Sequence, residues 1–242
     1  MIREFGEVNK VDRQRQSINS GHTALVAQQV EIPVGQVWLQ GDLNIPNQAM
    51  GMVLFAHGSG SSRFSSRNQF VASELNVAGF GTCLFDLLSL SEEREDQRTG
   101  QYRFDISLLT KRLVGVTDWL ENYLHETSGL LRFGYFGAST GAAAALMAAV
   151  ERPKMIKAIV SRGGRPDMAT YALSKVQAPT LLLVGGLDDV VIELNRVAYS
   201  RLSSQVPKEL VIIPGASHLF EEPGKLGEVA QAATMWFEKY LA

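Results

Sequence analysis

The sequence predicts an α/β fold, a mostly parallel sheet covered on both faces by helices. Short, wholly apolar runs alternate with stretches of helical period, as expected of strands buried on both sides. About six such runs follow one hairpin-like segment, and several end in glycine or serine. That end is the carboxyl edge, where open α/β sheets place their sites. At 242 residues, 45% of them hydrophobic, the chain suits one domain of this kind. No linker or internal repeat divides it.

In chain order, residues 1–20 are polar and patternless, which predicts a flexible tail ahead of a single domain over 21–242. "TALVAQQVEIPV" and "QVWLQGDLNIP" are strand-like and meet at Gly35. They predict an edge hairpin, a setting that tolerates Pro33 and Pro46. "GMVLFAHGSGSS" is an apolar run that ends in glycine and serine, and "NQFVASELNVAGF" is helical in period and stops near Gly79. "FGTCLFD" is a buried run. Leu87–Phe104, with the charge-dense "EEREDQR", predicts a long solvated connection. Asp105 caps the amphipathic "DISLLTKRLVGVTDWLENYLHE". "LRFGYFG", an alanine-rich helix, "IKAIVSRGG", "TLLLVGG" and "ELVIIPG" follow, and "GEVAQAATMWFEKYLA" closes the chain as an amphipathic helix.

Composition excludes several functions. The formal net charge is −2 and no dense Lys/Arg run appears, so neither nucleic acid nor an anionic membrane is an expected partner. Cys83 is the single cysteine, which excludes an intramolecular disulfide and a cysteine-cluster metal site. It lies in an apolar run and is expected to be a buried, inert thiol. The charged N-terminus lacks the apolar core of a signal peptide, and no window approaches 18 uninterrupted apolar residues. The expectation is a soluble cytoplasmic protein that needs no cofactor or metal, its oligomeric state open.

Chemistry concentrates at "GASTG", residues 137–141, between a strand-like and a helix-like run. This is G-x-S-x-G in the context of a nucleophile elbow. A strand that turns directly into a helix strains the serine backbone and crowds the positions two before and two after it. Gly137 and Gly141 meet that demand, and Ser139 is lifted beside free N–H groups at a helix start. The spacing does not fit a dinucleotide fingerprint or a P-loop. A serine needs a base. Of His22, His57, His125 and His218, only His218 follows Ser139, in the loop "PGASHLF". The acid that orients it is Asp188 by the spacing from Gly185 to Val191, with Asp189 and Asp167 as alternatives. Ser59 and Thr140 N–H groups are the candidate oxyanion donors, and His57 is expected to brace the loop that carries Ser59. Arg63, Arg67, Arg162 and Arg165 lie near strand ends. Their planar forks suit an anionic substrate, or they pair with acids of the chain.

Four segments together, "HGSGSS", "GASTG", "GGLDDVV" and "GASH", resemble the α/β-hydrolase superfamily. "AHGSGSSRFSSRNQFVASEL" and the segment from "FDLLSLSEEREDQ" to "GVTDWL" are similar to its dienelactone-hydrolase-like group. The resemblance runs from about Val53 to Ala242. It implies about eight mostly parallel strands with helices on both faces and a Ser-His-acid site at the carboxyl edge. It carries Ser139 over as nucleophile, Asp188 as acid, His218 as base, and Ser59 and Thr140 as oxyanion donors. Dienelactone hydrolases have a cysteine at the elbow where this chain has Ser139, which favours carboxylesterase-like chemistry. No insertion is large enough for a separate cap domain. The expected function is cleavage of a small carboxylic ester, thioester or lactone through an acyl-enzyme. The alternative from another class is a hydrolase-fold binding protein without turnover, and a weaker one is a peptidase or transferase on the same triad.

Overall fold

The computed structural model describes residues 2–4, 28–127 and 132–242, and its nine strands form one sheet. In chain order they are β1 (Ile2–Glu4), β2 (Gln28–Val34), β3 (Val37–Asn44), β4 (Met52–Ala56), β5 (Gly81–Phe85), β6 (Phe133–Ala138), β7 (Ile156–Arg162), β8 (Thr180–Gly185) and β9 (Lys208–Ile213). Across the sheet the order is β1-β9-β8-β7-β6-β4-β5-β3-β2. Among the described strands only β2 with β3 and β3 with β5 run antiparallel. The expected hairpin is therefore present at one edge, turning at Gly35 with φ +62°. Of the expected tail, Ile2–Glu4 pairs parallel with β9. The rest of it, and Thr23–Ala27 of the first strand-like run, lie outside the described residues.

The helices are α1 (Ser66–Val77), α2 (Leu90–Thr99), α3 (Ile106–Thr127), α4 (Thr140–Glu151), α5 (Asp189–Arg201) and α6 (Lys225–Leu241). Strand alternation sorts side chains onto two faces. In β4, Met52, Leu54 and Ala56 join a core that includes Leu113 of α3 and Ala143 of α4. Val53 and Phe55 join the opposite core, with Leu75 of α1 and Phe237 of α6. All five β4 residues are buried, which explains why such strands read as continuous apolar runs. Full burial of one large apolar side chain stabilises the fold by roughly 1.5–3 kcal/mol.

The Leu87–Phe104 segment departs from expectation, because its middle is helix α2 rather than an extended connection. A capping box starts it: the Ser89 hydroxyl accepts from Glu92 N–H while the Glu92 carboxylate accepts from Ser89 N–H. Gly100 ends it at φ +67°. Asp96 fastens it down by accepting from Tyr102 N–H, Arg103 N–H and the Arg103 guanidinium. Burial pushes the Asp96 pKa up, but these bonds outweigh it and hold the carboxyl below its ordinary value. Between β7 and β8 stand two short 3₁₀ turns, Pro166–Ala169 and Leu173–Lys175. Among the described residues no separate cap covers the carboxyl edge.

Candidate active site

Ser139 joins β6 to α4 with φ +51° and ψ −119°. Such a backbone is sparsely populated for a residue with a side chain and costs roughly 1–3 kcal/mol. The flanking glycines follow from the same turn. A Cβ on Gly137 would lie 2.5 Å from Ala142 Cα, and one on Gly141 would lie 2.1 Å from the Ala56 carbonyl oxygen. Both contacts are with backbone, which cannot give way cheaply. Hydrogen bonds over-determine the strained residue. Ser139 N–H donates to the Arg162 carbonyl at 3.2 Å, and its own carbonyl accepts from Ala142 N–H at 3.1 Å and Arg165 N–H at 3.0 Å. Thr140, first in α4, is buried.

The loop after β4 runs against the serine, since a Cβ on Gly58 would stand 3.1 Å from Ser139 Cβ. Ser59 is the next residue on that loop. His57 braces it. The His57 ring is buried, its Nε2 accepts from Leu87 N–H at 3.0 Å, and its Nδ1–H donates to the Gly58 carbonyl at 2.9 Å. Burial lowers its pKa. Both nitrogens are engaged, so this imidazole is a neutral strut.

Asp188 stands at the turn from β8 into α5, and His218 in the loop from β9 to α6. His218 Nδ1 and Asp188 Oδ2 are 2.6 Å apart, with the two side chains 39% and 17% exposed. Asp189 is exposed in the first turn of α5, and Asp167 is held by Arg165 through two 2.8 Å bonds. The carboxylate that meets His218 is therefore that of Asp188. A Cβ on Gly163 would lie 3.4 Å from His218 Nδ1 and Cε1. Gly163 follows Arg162, whose carbonyl holds Ser139 N–H, so the imidazole lies over the strand next to the serine's own. The loop around His218 is tied by Ser217 N–H, which donates to both Glu222 oxygens at 3.1 Å. Phe220, in the same loop, has φ +59°.

The four arginines separate. Arg63 is engaged by Asp86 and Asp42, and Arg165 by Asp167, so their charges are already matched within the chain. Arg67 reaches Glu221 at 2.8 Å. Among the described residues the Arg162 guanidinium makes one hydrogen bond, at 3.4 Å to the Asn68 side-chain oxygen. The sequence did not single out Asn68 or Glu221, since each meets its arginine only across a long chain separation. Cys83 is buried, and burial pushes its thiol up to about 12. Exposed apolar side chains, among them Phe64, Tyr171, Leu187, Val190 and Leu219, stand on or just after the loops of this edge.

A family model described as PET hydrolase-like matches residues 45–242. The chain belongs to that family. Like other α/β hydrolases of the dienelactone-hydrolase-like group, this PET hydrolase-like chain is similar to a solved dienelactone hydrolase from Anabaena variabilis. Identity is 57%, coverage is 90% of this chain and 99% of that one, and the TM-score is 0.86. Est1E from Butyrivibrio proteoclasticus shares the fold at 16% identity and a TM-score of 0.72, over 87% of this chain and 98% of its own. Two curated relatives from Mycobacterium tuberculosis strains are 47% identical over 239 residues and bear the name "Putative phosphoribosyl transferase". The alignment takes in 99% of this chain and 51% of theirs, so the chain spans about half the length of those relatives. No helix among the described residues is long and apolar enough to cross a membrane.

Proposed function

We propose that the chain is a serine hydrolase that cleaves a small carboxylic ester, thioester or lactone through an acyl-enzyme on Ser139. The observation that carries this reading is the 2.6 Å contact of His218 Nδ1 with Asp188, beside a serine on a strained elbow. Asp188 keeps the Nδ1 proton on His218 and leaves Nε2 as the base. Nε2 takes the Ser139 proton as the hydroxyl oxygen attacks the substrate carbonyl. Ser59 and Thr140 N–H groups receive the oxyanion, the charge that develops in the transition state. His218 returns the proton to the leaving group, and water then releases the acyl group by the same steps. Serine in place of the cysteine expected of dienelactone hydrolases favours general esters over the dienelactone.

The curated name of the longer relatives belongs to proteins about twice this length. The hydrolase chemistry proposed here concerns only the half of those relatives that the chain matches. The rival reading is a hydrolase-fold binding protein that does not turn over. A fluorophosphonate probe tests both, together with p-nitrophenyl esters of graded chain length. Labelling that vanishes in Ser139→Ala, with turnover of short esters, is expected. A folded wild type that neither labels nor turns over any ester favours the binding protein.

A further inference from the structure

Arg162 closes β7, in register with Ala138 of β6, the residue before Ser139. Adjacent strands lie about 4.8 Å apart, so this arginine begins one strand away from the proposed nucleophile. Its side chain passes to the α1 face, where its guanidinium carbon stands 6.0 Å from the centre of the Phe220 ring and one terminal nitrogen meets Asn68. Only 6% of Arg162 is exposed. Among the described residues its Nε finds no acceptor and no carboxylate forms an ion pair with it.

A buried charge without a counter-charge is unfavourable, and a second cation aggravates it. Burial, with the charge of nearby Arg67, lowers Arg162 to about 10, so it stays protonated at neutral pH. The Arg67 Nε is also buried without an acceptor, and its one carboxylate, Glu221, is 62% exposed. Arg63 makes the contrast. Its Nε is equally without a hydrogen bond, yet two carboxylates stand against its guanidinium. Arg67 and Asn68 belong to the first turn of α1, the positive end of a 12-residue helix whose first turn has no acidic residue. Two neighbouring guanidiniums and a helix start thus have, among the described residues, one carboxylate for company, the solvent-exposed Glu221 on Arg67.

We propose that Arg162 and Arg67 form an anion subsite beside Ser139 that takes the carboxylate or phosphate of a doubly functional ester. Arg162 is its floor and Arg67, 29% exposed, its mouth. Glu221 is the internal carboxylate that the substrate anion displaces. The substrate class rests on the reading of Ser139 as nucleophile, whereas anion binding itself does not.

The test therefore has two arms. In the first, the melting temperature of wild type and Ser139→Ala is followed with succinate, inorganic phosphate, or chloride at matched ionic strength. Saturable stabilisation beyond the chloride control is expected, and its loss in Arg67→Gln. The stronger of the two anions tells a carboxylate site from a phosphate site. In the second, kcat/KM is compared for p-nitrophenyl monoesters of succinate, glutarate and adipate and their uncharged analogues of equal length. The charged-to-neutral ratio should fall about 10- to 100-fold in Arg67→Gln and in Arg162→Gln, the range of one charged hydrogen bond. It should rise in Glu221→Gln, the opposite of what damage to the fold would do. Arg67→Gln carries the test if Arg162→Gln does not fold. No saturable stabilisation and an unchanged ratio, with Ser139 still labelled by fluorophosphonate, would overturn the subsite and leave the hydrolase. Loss of labelling with anion stabilisation intact would do the reverse.

Discussion

Ser139 and His218 reach the same edge of the sheet by opposite means. The serine is held by backbone: a strained turn, two positions that admit only hydrogen, and three main-chain hydrogen bonds. The histidine is held by side chains, through one 2.6 Å bond to Asp188 and a loop tied by Glu222. One half of the candidate site is built into the core and cannot shift without unfolding part of it. The other rests on half-exposed loops and can be loosened one bond at a time. Substitutions on the serine side should therefore be all-or-none, and those on the histidine side graded.

The sharpest break removes the serine hydroxyl. Ser139→Ala should lower ester turnover on the order of 10⁴- to 10⁶-fold and abolish fluorophosphonate labelling, with an unchanged circular dichroism spectrum. On the other side, Asp188→Asn should cost about 10³- to 10⁴-fold in kcat, and Asp189→Asn far less. Steady-state kinetics of the pair decides it, and equal losses would refute the assignment of the 2.6 Å partner. Gly141→Ala breaks the serine side in the fold, since its Cβ meets backbone at 2.1 Å. About 3 kcal/mol or more of stability should go, read by urea unfolding.

The smallest effect belongs to the loop. Hydrogen bonds from Ser217 hold the Glu222 carboxyl below its ordinary value. A depressed carboxyl stabilises the fold above its unfolded pKa, and the contribution fades as pH falls through the folded value. Glu222→Ala should therefore melt below wild type at neutral pH, and the two melting curves should converge on acidification. A gap that persists at low pH would show that the loop is held by something else.

The difference between the halves also explains what was legible in the sequence. Backbone sterics demand particular residue types at fixed spacing, so Gly137, Ser139 and Gly141 stand out as a motif. Buried strands announce themselves because both faces are apolar. His218 could be reached by elimination, and Asp188 by its distance from the strand end. Pairings between distant elements leave no local trace. Nothing near Arg162 in the chain indicates that its neighbours are Asn68 and Phe220, or that Arg63 is matched by Asp42 and Asp86. Helix α2 is hidden for another reason. Its "EEREDQR" lacks an apolar stripe, so only the capping box of Ser89 and Glu92, which the structure shows, marks its start. Ile2–Glu4 is too short to carry a period at all.

The uncapped carboxyl edge has a consequence in time. An enzyme that must close a lid over its substrate waits for that motion, and lid opening often limits its turnover. No cap stands over Ser139 among the described residues, and none of their elements would have to close before the reaction proposed here. Added viscogen should therefore slow encounter with good substrates and leave maximal turnover almost untouched. Chemistry at the serine, rather than the movement of the protein, would then be the clock.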